Sequence, residues 1–238
     1  LFLYALCNGW IKQGMPIIEA SSGSTAVSEA YFSRLIGVRF IAVMAKSTSP
    51  EKIKRVEHYG GECVFVDNPS QDCAKAKELS QSLKGHFMDQ FTYAERATDW
   101  RGNNNIAESI FEQMKEEPFP EPSWIICGAG TGGTSATLGR YVRYAGHATQ
   151  VCVVDPVNST FFEYYKTNDC NIKRNGPSGV EGIGRPQVEK SFIPTIVDRM
   201  IQVPNAATYA SIHFLEKILG KKCGGSTGTH LYGTFQII

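Results

Sequence analysis

Residues 124–146 read WIICGAGTGGTSATLGRYVRYAG. An apolar run closes at Gly128, a glycine-rich turn follows, and helical periodicity starts near Ser135. A buried strand passing through a tight turn into a helix is the repeating unit of a parallel α/β sheet. The turn also has a chemical meaning. Amides at a helix start, uncovered by bulky side chains, hold phosphate through neutral donors and the helix dipole, without a Lys or Arg. Thr131 and Thr134 add hydroxyls to that cradle. Three readings of the turn stay open at this point. Gly128, Gly130 and Gly133 satisfy G-x-G-x-x-G, and Asp155 lies at the end of the next apolar run, as in a dinucleotide fold. A different phosphate compound and a purely structural turn are the others.

The grammar repeats along the chain. Apolar or β-branched runs at 15–19, 40–44, 63–66, 86–89, 150–154 and 200–203 predict strands, with helical segments between most of them. One predicted helix follows Ser24, with Val27, Tyr31, Phe32 and Leu35 as its apolar stripe and Gly37 as its stop. A second begins after Ser49 with Pro50 at its first position, and a third runs from Ser70 to Gly85. Pro118, Pro120 and Pro122 stiffen a connector into the strand at 124. The stretch 155–196 is rich in Gly, Pro and Asn and reads as loops. The chain opens at Leu1 inside a helix-compatible stretch and stops at YGTFQII, so truncation at both ends is expected.

Composition narrows the function. The 238 residues carry a net charge of +1 and are 42% hydrophobic, so no global field draws nucleic acid or an anionic membrane. No apolar run approaches the roughly 20 residues of a membrane helix. Lys52, Lys54 and Arg55 alternate with Glu51 and Glu57 on what reads as a solvated helix face. Seven cysteines, an odd number with no CxxC pair, imply a reduced, cytoplasmic compartment without disulfides. Five histidines without ligand spacing give no metal site and read as surface or helix-end residues.

A second small-residue turn arbitrates between the phosphate readings. Residues 17–26, IIEASSGSTA, place Ser21, Ser22, Gly23, Ser24 and Thr25 between a strand and a helix. One hydroxyl suffices for an N-cap, and the remainder suit a second anion such as an amino-acid carboxylate. GGSTGTHLYG near the C-terminus and EGIG at 181–184 complete a set of four motifs.

In this order the motifs resemble the cysteine synthase and cystathionine β-synthase family of fold type II pyridoxal-phosphate enzymes. The resemblance spans nearly the whole chain. It implies two parallel three-layer α/β/α domains of the tryptophan synthase β-like class: a small mobile one at 1–93 carrying the carboxylate loop, and a large one at 94–238 carrying the phosphate loop. Gly130, Thr131, Gly132, Gly133 and Thr134 are similar to the family's phosphate loop. Ser21, Ser22, Gly23 and Thr25 are similar to its substrate loop, with Gln90 as the carboxylate-binding glutamine and Gly182 at the site's mouth. Ser226 matches the serine that bonds the pyridine nitrogen, and Ser24 stands where relatives carry a cofactor-contacting asparagine.

The lysine that forms a Schiff base with the cofactor and moves the Cα proton is expected before Leu1; Lys12 and Lys46 read as surface residues. A neutral serine on the pyridine nitrogen weakens the electron sink, disfavouring transamination and favouring loss of a β-leaving group. Departures at Ser24 and at 90–110, where Asn103, Asn104 and Asn105 read as helix caps, resemble the L-cysteine desulfhydrase branch. The expected reaction is β-elimination on L-cysteine or a related β-substituted alanine by a cytoplasmic homodimer. Cysteine synthesis from an activated serine and a non-catalytic sensor or scaffold are the alternatives. The dehydrogenase reading explains neither the serine-rich turn nor Ser226.

Overall fold

The computed structural model describes residues 1–99, 101 and 105–238. Its contacts divide them into two compact units, Leu1–Tyr93 and Ala94–Ile238. The first unit runs α1 (Phe2–Cys7), β1 (Ile17–Ala20), α2 (Ser24–Ile36), β2 (Phe40–Ala45), α3 (Pro50–His58), β3 (Glu62–Val66), α4 (Asp72–Ser82), β4 (His86–Phe87) and α5 (Gln90–Tyr93). Its strands pair in parallel in the order β3-β2-β1-β4. Successive residues of β1 enter opposite layers, as the two-residue period of a strand requires. Ile17 packs with Phe2, Ala26, Ala30 and Val56 from α1, α2 and α3, whereas Ile18 packs with Ala76 of α4. Helices therefore cover both faces of a sheet whose central strands are buried on both sides and apolar but for Glu19.

In the second unit, α6 (Ile106–Met114), β5 (Trp124–Gly128), α7 (Gly133–Ala145), β6 (Gln150–Pro156), α8 (Phe161–Thr167), β7 (Arg199–Val203), α9 (Asn205–Leu219) and α10 (Gly225–Phe235) follow one another. The strands are parallel in the order β5-β6-β7. Phe111 of α6, Leu138 and Val142 of α7 and Phe161 of α8 form one core with Val151 and Val153 of β6. On the other face α10 lies so close that a Cβ on Gly233 would fall 2.2 Å from Val154 Cγ1. Cys127 and Cys152, on adjacent strands, are buried in this sheet, and all seven cysteines are free. No described helix is long and apolar enough to cross a membrane.

Several local expectations need correction. The buried face of α2 is Ala26, Glu29, Ala30 and Ser33, while Tyr31, Phe32 and Leu35 are exposed. Small side chains let the helix sit close on the sheet, and that close approach outweighs the larger apolar stripe. The N-cap of α2 is Gly23, with no side-chain cap; the Ser21 hydroxyl instead accepts from the Gly23 amide at 3.2 Å. The helix predicted from Ser70 begins at Asp72, because Asn68 caps a short 3-10 turn over Pro69–Gln71 and takes the Ser70 amide. The loop-like stretch 155–196 contains α8. Asn105 caps α6 by accepting from the Glu108 amide at 3.0 Å, as expected, whereas Asn103 and Asn104 lie outside the described residues.

Helix α10 owes its place to Gly228. A Cβ there would lie 2.4 Å from the Thr208 carbonyl oxygen and 2.7 Å from Ile212 Cγ1, both on α9. Beside it the hydroxyls of Thr208 and Thr229 share a buried hydrogen bond of 2.9 Å. Gly228→Ala is therefore expected to destabilise the protein by about 2 kcal/mol through overpacking. Urea unfolding measures this directly, and an unmoved midpoint would show that the two helices separate at no cost.

Candidate active site

The first unit assembles a polar cluster at the carboxyl end of β1. Helix α2 starts with the amides of Ser24, Thr25 and Ala26 unpaired within the helix, as every helix must. Among the described residues the hydroxyls of Ser22 and Ser24 make no hydrogen bond, and Ser24 is exposed. The chain folds Gln90, distant in sequence, onto this turn. Its Oε1 accepts from the Thr25 hydroxyl at 3.0 Å, and its Nε2 donates to the Ala20 carbonyl at 3.3 Å. Thr25 thus commits its only hydroxyl proton to Gln90, and Gln90 keeps one amide hydrogen in reserve. Ser21, Ser22, Gly23, Thr25 and Gln90 do converge. The free donors are the first-turn amides, the Ser22 and Ser24 hydroxyls and the second Nε2 hydrogen.

The second unit builds the glycine turn between β5 and α7. The helix begins at Gly133 rather than Ser135, and Gly132 before it is left-handed with φ 87°. A side chain there would strike Phe192 Cα at 2.7 Å and the Ser191 carbonyl at 2.8 Å. The Thr131 hydroxyl accepts from the Gly133 amide at 3.3 Å, its carbonyl accepts from the Ser191 hydroxyl, and Thr134 is exposed. Gly130 has a reason the sequence did not display. Its missing side chain makes room for the Gly182 carbonyl, 2.4 Å from where a Cβ would stand. The Gly184 amide donates to the Ala129 carbonyl at 2.8 Å, so the 181–184 loop is fastened to the glycine turn.

Ser226 is the second residue of α10, half-buried, with no hydrogen-bond partner among the described residues. One turn further, on the same helix face, His230 buries an unpaired Nε2 beside Gly128. Burial lowers its pKa, which favours the neutral ring. This corrects the surface reading of the histidines; nothing in its spacing announced it. Glu95 is a second omission. Its carboxylate meets Arg140 of α7 at 2.6 Å, while Arg140 also donates to the Glu95 carbonyl. The pair lies beside the start of α7, where the Ala94 carbonyl is 3.1 Å from a Cβ built on Gly133.

The turn fits a phosphate: it offers the first-turn amides of Thr134 and Ser135 and the exposed Thr134 hydroxyl. Ser226 presents a neutral hydroxyl, which can accept from or donate to a ring nitrogen. Asp155, the acid a dinucleotide would need at the strand end, is fully buried and accepts from the Phe162 amide at 2.9 Å. It is therefore withdrawn from any ribose.

Comparison with known proteins agrees. A profile of the family described as pyridoxal-phosphate dependent enzyme matches residues 1–237. The chain belongs to that family. Within it, the chain is 58% identical over 238 residues to L-cysteine desulfhydrase Cds1 of Mycobacterium tuberculosis (strain ATCC 25177 / H37Ra), covering 100% of the chain and 65% of the relative. It is 27% identical over 233 residues to cystathionine beta-synthase of Dictyostelium discoideum, covering 95% of the chain and 45% of the relative. The chain thus spans two-thirds or less of these relatives' lengths. Among solved structures, O-ureido-L-serine synthase superposes with a TM-score of 0.81 at 21% identity, covering 99% of the chain and 72% of the neighbour. A hydrogen sulfide-producing enzyme of Fusobacterium nucleatum gives 0.80 at 22% identity, covering 97% and 74%. These neighbours share the fold, and the cofactor of the family is pyridoxal phosphate.

Burial pushes the Asp155 carboxyl from its usual 3.8 up to about 7, against the opposing pull of the Ser159 hydroxyl and the Phe162 amide. A raised carboxyl binds its proton more tightly in the folded state, so stability falls as pH rises from about 4 to about 7. Asp155→Asn keeps the acceptor for Phe162 and removes the titration. Its urea midpoint is expected to fall less between pH 5 and pH 7.5 than that of the wild type; equal slopes would exonerate Asp155.

Proposed function

We propose that the protein catalyses pyridoxal-phosphate-dependent β-elimination on L-cysteine, releasing hydrogen sulfide, pyruvate and ammonia with consumption of one water. The observation that carries this reading is the 58% identity to an L-cysteine desulfhydrase across the entire chain, including both turns. Bound pyridoxal phosphate supplies the electron sink for cleavage of the Cα–H bond. The protein's part is holding and orientation.

Gly130, Thr131, Gly132, Gly133 and Thr134 are assigned the cofactor phosphate, through the amides at the start of α7 and the Thr134 hydroxyl. Ser226 is assigned the ring nitrogen. As a neutral partner it leaves that nitrogen unprotonated, which limits the sink and biases the chemistry toward expelling a thiol from Cβ. Ser21, Ser22, Gly23, Thr25 and Gln90 are assigned the substrate carboxylate, with the charge met by amide hydrogens. Ser24 is assigned the cofactor oxygen that relatives meet with asparagine, and Gly182 the mouth of the site. These assignments make residues 1–93 the substrate-holding unit and 94–238 the cofactor-holding unit.

The Cα proton is assigned to a lysine outside residues 1–238. In support, Lys12 is exposed beyond α1, and Lys46 is paired with Asp67 at the surface at 2.6 Å. A homodimer in a reducing, cytoplasmic compartment belongs to the same reading. Its support is the family resemblance and seven free thiols.

The test is the product balance of the full-length holoenzyme. Equal amounts of sulfide, pyruvate and ammonia from L-cysteine are expected. Faster formation of cysteine from O-acetylserine and sulfide would make the protein a synthase instead, and neither activity in cofactor-loaded protein would make it a sensor. Ser24→Asn is expected to retain the cofactor's absorbance and to shift the ratio of elimination to replacement; an unchanged ratio would remove Ser24 from that choice.

A further inference from the structure

Glu19, the last acidic residue before the serine-rich turn, is fully buried in β1, with the buried carboxyl of Glu29 on α2 acting on it across the layer. An ionisable side chain in that position needs specific partners to offset its desolvation. Both of its oxygens have one, and the two partners are informative. Oε1 accepts from the amide of Ala20 at 2.7 Å, and Oε2 accepts from the amide of Gln90 at 3.2 Å. The first amide begins the turn that carries Ser21 to Thr25. The second belongs to the glutamine whose side chain meets Thr25 and the Ala20 carbonyl. One carboxyl group therefore spans two segments separated by 71 residues.

The backbone at Asp89 shows what this contact orients. Asp89 is left-handed with φ 49°, one of few non-glycine residues so placed, and this turn directs the Gln90 amide back toward β1. Such a conformation costs a side-chain-bearing residue on the order of 1 kcal/mol and persists only where its surroundings fix it. Burial, together with the carboxylates of Asp89 and Asp72, pushes Glu19 up to about 8, while the two amides pull the other way.

We propose that Glu19 is the positioning residue of the carboxylate half-site, bridging the Ala20 and Gln90 amides and so fixing the spacing between the 21–25 turn and the Gln90 side chain. It touches neither substrate nor cofactor; it acts through Gln90. The proposal rests on the assignment of this turn and Gln90 to the substrate carboxylate.

Glu19→Gln tests it in the full-length holoenzyme, because an amide keeps the shape but can accept from only one of the two N–H groups. Loss of one of the two buried bonds is expected to raise KM for L-cysteine about tenfold. Values of kcat within about twofold and unchanged cofactor absorbance are expected alongside, a split that general loosening of the fold would not produce. Hydrogen exchange supplies a readout independent of catalysis: the Ala20 or the Gln90 amide exchanges faster in the variant, while amides of the second unit do not change. Glu19→Asp, one methylene too short to span both amides, is expected to move KM in the same direction and serves if the glutamine variant does not fold.

Gln90→Ala separates the two layers of the argument. A raised KM for Gln90→Ala with an unchanged KM for the Glu19 variants overturns the positioning role and leaves the carboxylate assignment standing. An unchanged KM for Gln90→Ala removes the carboxylate assignment, and the positioning role falls with it.

Discussion

A helix cannot satisfy the amides of its own first turn, and this constraint organises both units. In a parallel sheet every strand discharges at the same edge, so helices start there, each presenting unpaired donors. At Ser24 and at Gly133 the residue before the helix is glycine and neither helix has a side-chain cap, though the Gly133 amide donates to the Thr131 hydroxyl. Each unit thus has a helix start with first-turn amides and no Lys or Arg in the turn before it.

Neutral donors have a chemical advantage over cations in such a site. A guanidinium would hold an anion tightly in any orientation that neutralised it, whereas fixed amides demand a particular geometry. The supporting contacts serve that geometry. The Gly182 carbonyl fills the space beside Gly130, the Ser191 hydroxyl holds the Thr131 carbonyl, and the Glu95–Arg140 pair sits beside the start of α7. In the other unit Thr25, Ala20 and Gln90 are bound to one another before any ligand arrives.

The strands and both turns were legible in the sequence because their signals are local: apolar runs, then clusters of Gly, Ser and Thr. What was hidden depends on neighbours distant in the chain. The inner face of α2 is small because the sheet lies close, so its large apolar residues point outward, contrary to a hydrophobicity reading. Gly130 looked like a phosphate glycine, and its steric reason appears only when the 181–184 loop is in place. His230 sat inside the GGSTGTHLYG motif with nothing to mark its burial, and Glu95 carried no motif at all. Asp155 fitted a sequence fingerprint for ribose binding, yet the fold turns it inward to the start of α8. Spacing along a chain gives the order of elements, but not which side chain the next element will cover.

The two cysteines inside the second sheet bear on the protein's tolerance of oxidants and reactive sulfur. Burial pushes the Cys127 thiol up to about 12 and the Cys152 thiol up to about 11. At neutral pH both stay protonated, and a protonated thiol is a poor nucleophile toward oxidants and sulfane sulfur. A sheet that keeps its sulfur as thiol rather than thiolate resists persulfidation from within. The strands on either side of the turn into α7 thus keep protonated thiols within their packing.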